Sequence, residues 1–155
     1  MQRTTNSRKG GVATSQPLAS EIGAQILRAG GSAVDAAIAI SAAISVVEPG
    51  ASHLGGDAFL ITHDAISKEN LAFNGSGEAP HQATIESFSG EIPLRGFKSA
   101  TVPGLVSTWF AVHEKYGRLP FSKILAPAIK LALDGFKAHQ SFISRMQNQI
   151  GRAHV

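Results

Sequence analysis

The chain has 155 residues, 43% of them hydrophobic and 16% charged, which supplies one core of ordinary size and excludes a disordered segment. Its 14 Lys+Arg exceed its 11 Asp+Glu by a net +3, and the basic residues are scattered from Arg3 to Arg152 without interleaved aromatics, the pattern of a solvated surface and not of a nucleic-acid groove. There is no cysteine, so disulfides and thiolate metal sites are excluded, and no cofactor is expected.

Taken in chain order, Met1 to Gly11 carries Arg3, Arg8 and Lys9 with no apolar stretch behind them, so no secretory signal is expected and a cytoplasmic setting follows. A helix is predicted over 17–29. Gly30 and Gly31 close it, because both tolerate the left-handed conformation, and Ser32 caps a second helix over 32–47. That helix is rich in small residues (Ala33, Ala36, Ala37, Ala39, Ser41, Ala42, Ala43, Ser45), with Val34, Ile38, Ile40, Ile44 and Val47 as apolar anchors. A second element can therefore approach its backbone closely. It is too short and too serine-rich to span a bilayer, so no membrane partner is expected. Asp35 is read as a favourable charge at its N-terminus.

Glu48-Pro49-Gly50 ends the helix, and Gly55-Gly56 opens a strand where the backbone passes close to a ligand or another segment. Ala58 to His63 and Asn70 to Asn74 flank the polar turn 64–69 and read as a hairpin. Two strands alone make no stable sheet in water, so further strands are expected outside the chain. Residues 81–99 read as an irregular or weakly helical connection, with Thr84 as cap before Ile85-Glu86-Ser87-Phe88. Pro103-Gly104 starts a helix over 104–116, with Leu105, Trp109, Val112 and Tyr116 at helical spacing, and further helices are predicted over 121–134 and 141–149. Residues 150–155 back-translate through ATC GGA AGA GCA CAC GTC, which looks like a sequencing adapter. The expectation is thus a native piece over 1–149, continuing beyond Gln149, and a non-native tail over 150–155.

Four separated segments carry a resemblance: GGVATSQPLASEIGAQILRAGG (10–31), SAVDAAIAISAAISVVEPGASHLGGDAF (32–59), NGSGEAP (74–80) and VPGLVSTWFAVHEKYGRLPFSKILAPAIKLALDGF (102–136). In this order and spacing they resemble the amino-terminal portion of the large subunit in the gamma-glutamyltransferase family, a branch of the N-terminal nucleophile hydrolases. The resemblance implies an α+β chain that is part of a four-layer αββα sandwich, mostly its helical N-terminal part with one β-hairpin. It implies a precursor that cleaves itself into large and small subunits, the small one opening with a threonine nucleophile whose own α-amino group serves as base. None of Thr4, Thr5, Thr14, Thr62, Thr84, Thr101 or Thr108 occupies the matching place, so no catalytic residue is assigned here. The small subunit of the same precursor and a small-molecule gamma-glutamyl or amide substrate are the implied partners.

What the chain would supply is part of the substrate pocket. Glutamyl-transferring members hold the substrate α-carboxylate with the arginine of an Arg-Glu-x-Ala-Pro segment, a position occupied here by Ser76. Related Gly-Ser-Gly-Arg-Ala-Pro sequences put the arginine two places later, where this chain has Glu78. The glycine run after Gly55-Gly56 continues as Asp57-Ala58-Phe59, as in the divergent, non-exported branch. Ser76, Glu78 and Asp57 are therefore the candidate substrate-binding residues. Each has a plainer alternative: turn chemistry for Ser76, a solvated loop charge for Glu78, a cap on a neighbouring backbone N–H for Asp57. His53 and His81 have no ligand-spaced companion and read as surface or packing residues. Two further functional readings stand beside glutamyl transfer: an acylase or amidohydrolase acting on a small amide such as oxamate or a cephalosporin side chain, and a non-catalytic helical interaction module.

Overall fold

The computed structural model describes residues 10–94 and 96–149; the basic start over 1–9 and the tail over 150–155 lie outside them. Five α-helices, α1 (Pro17–Arg28), α2 (Ala33–Val47), α3 (Leu105–Tyr116), α4 (Phe121–Asp134) and α5 (Gln140–Gln149), accompany one antiparallel pair, β1 (Ala58–His63) and β2 (Asn70–Gly75). The chain divides into two compact units, residues 1–53 with 112–155 and residues 54–111, and the first seven residues of α3 belong to the latter.

In the first unit α1 packs on α2 and α2 on α4. Pro17 begins α1, where its missing N–H costs nothing and its fixed φ already suits a helix. The helix ends as Gly30 turns through φ +89°, while Gly31 stays outside the left-handed region. The small side chains of α2 do what their size requires: Val34, Ala36, Ile38, Ala39, Ala42, Ala43 and Val47 are buried, and Ile40 lies over Gly23 of α1. The segment before α1 is tied to the end of α2, since Ser15 Oγ donates to Glu48 Oε2 at 2.8 Å and Glu48 is itself buried.

Ser32 caps α2 as the sequence predicts, its hydroxyl accepting from Asp35 N at 3.0 Å while Asp35 Oδ2 accepts from Ser32 N at 2.9 Å. Asp35 does more than offer a charge to the helix. It is fully buried, and its carboxylate also accepts from the backbone N–H groups of Arg118, at 3.0 Å to Oδ2, and Leu119, at 3.1 Å. The turn between α3 and α4 is thereby bonded to the start of α2. His113 lies 3.9 Å from Asp35, too far for a hydrogen bond; its Nε2 is 2.8 Å from the Leu119 carbonyl, an acceptor, so Nε2 carries the proton.

In the second unit Phe59 pairs with Asn74, Ile61 with Ala72 and His63 with Asn70. The turn is fixed by Asp64, whose carboxylate accepts from Ile66 N at 2.8 Å. That bond, with smaller help from Ser67 and His63, holds the Asp64 carboxyl below the usual carboxylate range. One predicted detail changes. The connection 81–99 is irregular with short 3-10 turns at Ile85–Phe88 and Phe97–Ser99, as expected, but Thr84 stands at the cap position without a side-chain cap bond. Its carbonyl accepts from Ser87 Oγ at 2.7 Å instead, which turns the segment tightly without needing the threonine hydroxyl. The helices otherwise begin and end within one residue of their predicted bounds.

The exposed face of the hairpin carries two large apolar side chains, Phe59 at 74% and Ile61 at 84% exposure, and Leu94 and Phe97 of the same unit are also bare. Surfaces of this kind associate unless covered, and among the described residues both strands have an unpaired edge. The isolated chain is expected to bind a hydrophobic dye and to self-associate with rising concentration; sedimentation velocity showing a dye-silent monomer throughout contradicts this. Asp35→Ala removes the partner of three partly buried backbone donors and is expected to cost about 2–4 kcal/mol, read as a lowered urea midpoint by circular dichroism. An unchanged midpoint contradicts the role given to Asp35.

Candidate functional site

The segments NGSGEAP and VPG meet within the second unit. β2 ends at Gly75, and Asn74 then accepts from Ser76 N through its Oδ1 at 3.0 Å, a side-chain-closed turn that bends the chain away from the strand. Two residues on, the Glu78 carbonyl accepts from Val102 N at 3.1 Å, which sets 75–78 against 102–104. The approach is as close as backbones allow. A Cβ on Gly77 would fall on the Val102 carbonyl, and one on Gly104 on the carbonyl of Gly75.

The far side is held by α3. The Gly56 carbonyl accepts from Gly104 N at 3.1 Å and Leu105 N at 2.8 Å, donors that the first turn of a helix leaves without internal partners. Thr108, buried, donates to the Gly104 carbonyl at 2.8 Å. Asp57 fastens the loop: its Oδ1 accepts from Gly77 N at 3.0 Å and more loosely from Thr101 Oγ1 at 3.4 Å.

Between these segments lies an open groove of about 380 Å³, whose lining includes Asn74, Ser76, Glu78, Pro103 and Thr108. Ser76 and Glu78 are thus brought together on one groove, both exposed; Asp57 is not among the lining residues and stands behind the loop as the partner of Gly77. Among the described residues that line the groove, Glu78 has the one ionisable side chain. The opposite wall, Val102 to Thr108, received no role in the sequence reading. Its signal was the VPG motif, since a glycine directly before a helix marks close backbone approach as well as a helix start. His53 and His81 are exposed, and among the described residues no three His, Asp or Glu side chains gather to hold a metal ion. Among the same residues no helix is long and apolar enough to cross a membrane.

A family model described as gamma-glutamyltranspeptidase matches residues 19–153. The chain belongs to the gamma-glutamyltranspeptidase family. It is 42% identical over 139 residues to the glutathione hydrolase-like YwrD proenzyme of Bacillus subtilis (strain 168), a match covering 88% of this chain and 26% of that protein. The crystal structure of Helicobacter pylori gamma-glutamyltranspeptidase superposes with a TM-score of 0.88 at 37% identity, over 95% of this chain and 44% of the other. Cephalosporin acylase from Bacillus halodurans does so with 0.85 at 35% identity, over 98% and 30%. The chain therefore spans about a quarter of the curated relative and less than half of the solved ones. Its fold is that of the helical N-terminal part, with one hairpin, of an α+β N-terminal nucleophile hydrolase.

Because Gly77 touches the opposite wall, Gly77→Ala is expected to cost about 1–3 kcal/mol by overpacking. Asp57→Ala costs about 1 kcal/mol, the net worth of an ordinary hydrogen bond. Urea denaturation followed by the fluorescence of Trp109, the chain's single tryptophan, reads both. Equal effects of the two substitutions contradict this account of the loop.

Proposed function

We propose that this chain is the amino-terminal part of the large subunit of a self-cleaving proenzyme that transfers or hydrolyses gamma-glutamyl or related amide groups. The observation that carries the reading is the groove between 75–78 and 102–108, whose residues lie within the span that matches the family model. In this reading the groove is one wall of the acyl-donor pocket, with Ser76 and Glu78 facing the substrate and Asp57 holding the loop. The nucleophile is a threonine outside the chain, at the start of the small subunit that completes the site. Its hydroxyl attacks the amide carbonyl, its α-amino group takes the proton, the amine leaves, and water or an acceptor amine resolves the acyl-enzyme.

Three of the described threonines are consistent with that division of labour. Thr108 is buried and bonded to Gly104, Thr14 Oγ1 bonds the Gln16 carbonyl at 2.7 Å, and Thr101 reaches toward Asp57. Each serves the backbone or the loop. The relatives named as proenzymes support precursor cleavage.

An acylase reading of the same fold is favoured by a separate observation, the likeness to cephalosporin acylase together with a groove that has Ser76 and Glu78 where family arginines would stand. Both readings share one test. The chain alone is expected to release no chromophore from a gamma-glutamyl anilide. Residues 19–149, exchanged for the matching part of the Bacillus subtilis YwrD proenzyme, are expected to yield a precursor that cleaves into two chains and turns over an amide. Activity that copurifies with the isolated chain, or a folded chimera that neither cleaves nor turns over any amide, overturns the proposal.

A further inference from the structure

Resting on the reading of the groove as an acyl-donor wall, we infer that Glu78 is a specificity-determining residue that selects donors ending in an ammonium group without a carboxylate. The substrate class is an ω-aminoacyl amide, such as a 4-aminobutyryl amide, in preference to a gamma-glutamyl amide.

Three observations converge. The root of Glu78 is fixed, because its carbonyl bonds Val102 N at 3.1 Å and the neighbouring Gly77 is pressed on the Val102 carbonyl and held by Asp57. Its side chain is exposed on the groove and is the one ionisable group among the described lining residues. No described cation of this unit offsets it there, since Lys68 and Lys98 are outside the lining and Lys98 Nζ donates to the Ser87 carbonyl at 2.9 Å.

A carboxylate at this rim attracts an ammonium and repels a carboxylate. At a few ångströms, in the partly desolvated environment of a bound donor, each effect is large enough to decide between substrates. A gamma-glutamyl group presents both charges on one carbon, so attraction and repulsion largely cancel. A 4-aminobutyryl group keeps the ammonium and the same chain length to the scissile carbonyl, and suffers no repulsion. Ser76, a neutral hydroxyl on the same groove, adds no cation to restore carboxylate binding.

The test uses the processed two-chain enzyme that carries this chain, with 4-aminobutyryl and gamma-glutamyl p-nitroanilides as probes. Wild type is expected to favour the 4-aminobutyryl probe by about tenfold or more in kcat/KM. Glu78→Gln is expected to abolish that preference through KM, and Glu78→Arg to reverse it by lowering KM for the gamma-glutamyl probe. A wild-type preference for the gamma-glutamyl probe, or a preference for either probe that Glu78→Gln leaves intact, overturns the assignment of Glu78. Turnover of neither probe by an enzyme that has cleaved itself also overturns it while sparing the nucleophile chemistry, whereas failure to self-cleave strikes the functional reading underneath.

Discussion

The helical unit depends on one buried charge. Asp35 has no exposed surface, and a carboxylate taken out of water costs several kcal/mol unless its lone pairs are met. They are met entirely by backbone: Ser32 N from the cap of its own helix, and Arg118 N and Leu119 N from a turn more than 80 residues later in the chain. The positive end of the α2 dipole lies at the same point and favours the charge further. Because backbone donors have fixed positions, the arrangement specifies where the chain arriving from α3 must cross the start of α2. His113 bonds the Leu119 carbonyl and sets its ring edge-on to Phe121 at 5.1 Å, so the first residue of α4 is held by the same turn. Apolar packing of α2 on α1 and α4 supplies burial, which has no direction; the Asp35 bonds supply the register.

The second unit solves a different problem with less core. Its hairpin has no sheet neighbour among the described residues, and Phe59 and Ile61 on it are largely exposed. What orders the loops is backbone against backbone: Gly77 on Val102, Gly104 on Gly75, and the Gly56 carbonyl on the first donors of α3. Contacts this close leave no room for a Cβ. The cost is the conformational freedom lost in ordering glycines, and the Asp57 bond to Gly77 N offsets part of it.

Most of this architecture was legible in the sequence, for local reasons. Pro17, Gly30, Ser32, Pro49 and Pro103 punctuate the chain, and between them apolar residues recur with unambiguous periods, so element bounds fell within about one residue of those observed. Ser32 and Asp35 read directly as a cap and a first-turn acid. The further use of Asp35 was not readable, because nothing local to residue 35 marks Arg118 and Leu119 as its donors. Thr84 misled for the converse reason: a threonine before an acidic, apolar stretch looks like a cap, but a 3-10 turn closed by Ser87 leaves its hydroxyl without that task. Ser76 and Glu78, singled out through the motif, line the groove, whereas the wall from Val102 to Thr108 was hidden because closeness of two backbones is a property of the pair and of neither segment alone.

The groove also separates the part of the sequence that must be kept from the part that is free to set chemistry. Glu78 contributes its carbonyl to the contact with Val102, and any residue can do that; Ser76 contributes its N–H to the Asn74 turn, and any residue but proline can do that. Gly77 between them is constrained by the Val102 carbonyl and has no such freedom. The loop thus alternates a replaceable side chain, an irreplaceable absence of one, and a second replaceable side chain. Positions 76 and 78 are where an arginine stands in the two related patterns, and either could receive one here without disturbing a single backbone bond of the groove. The same scaffold therefore accommodates a cation, a hydroxyl or a carboxylate at its rim, because neither side chain takes part in the backbone bonds that order the groove.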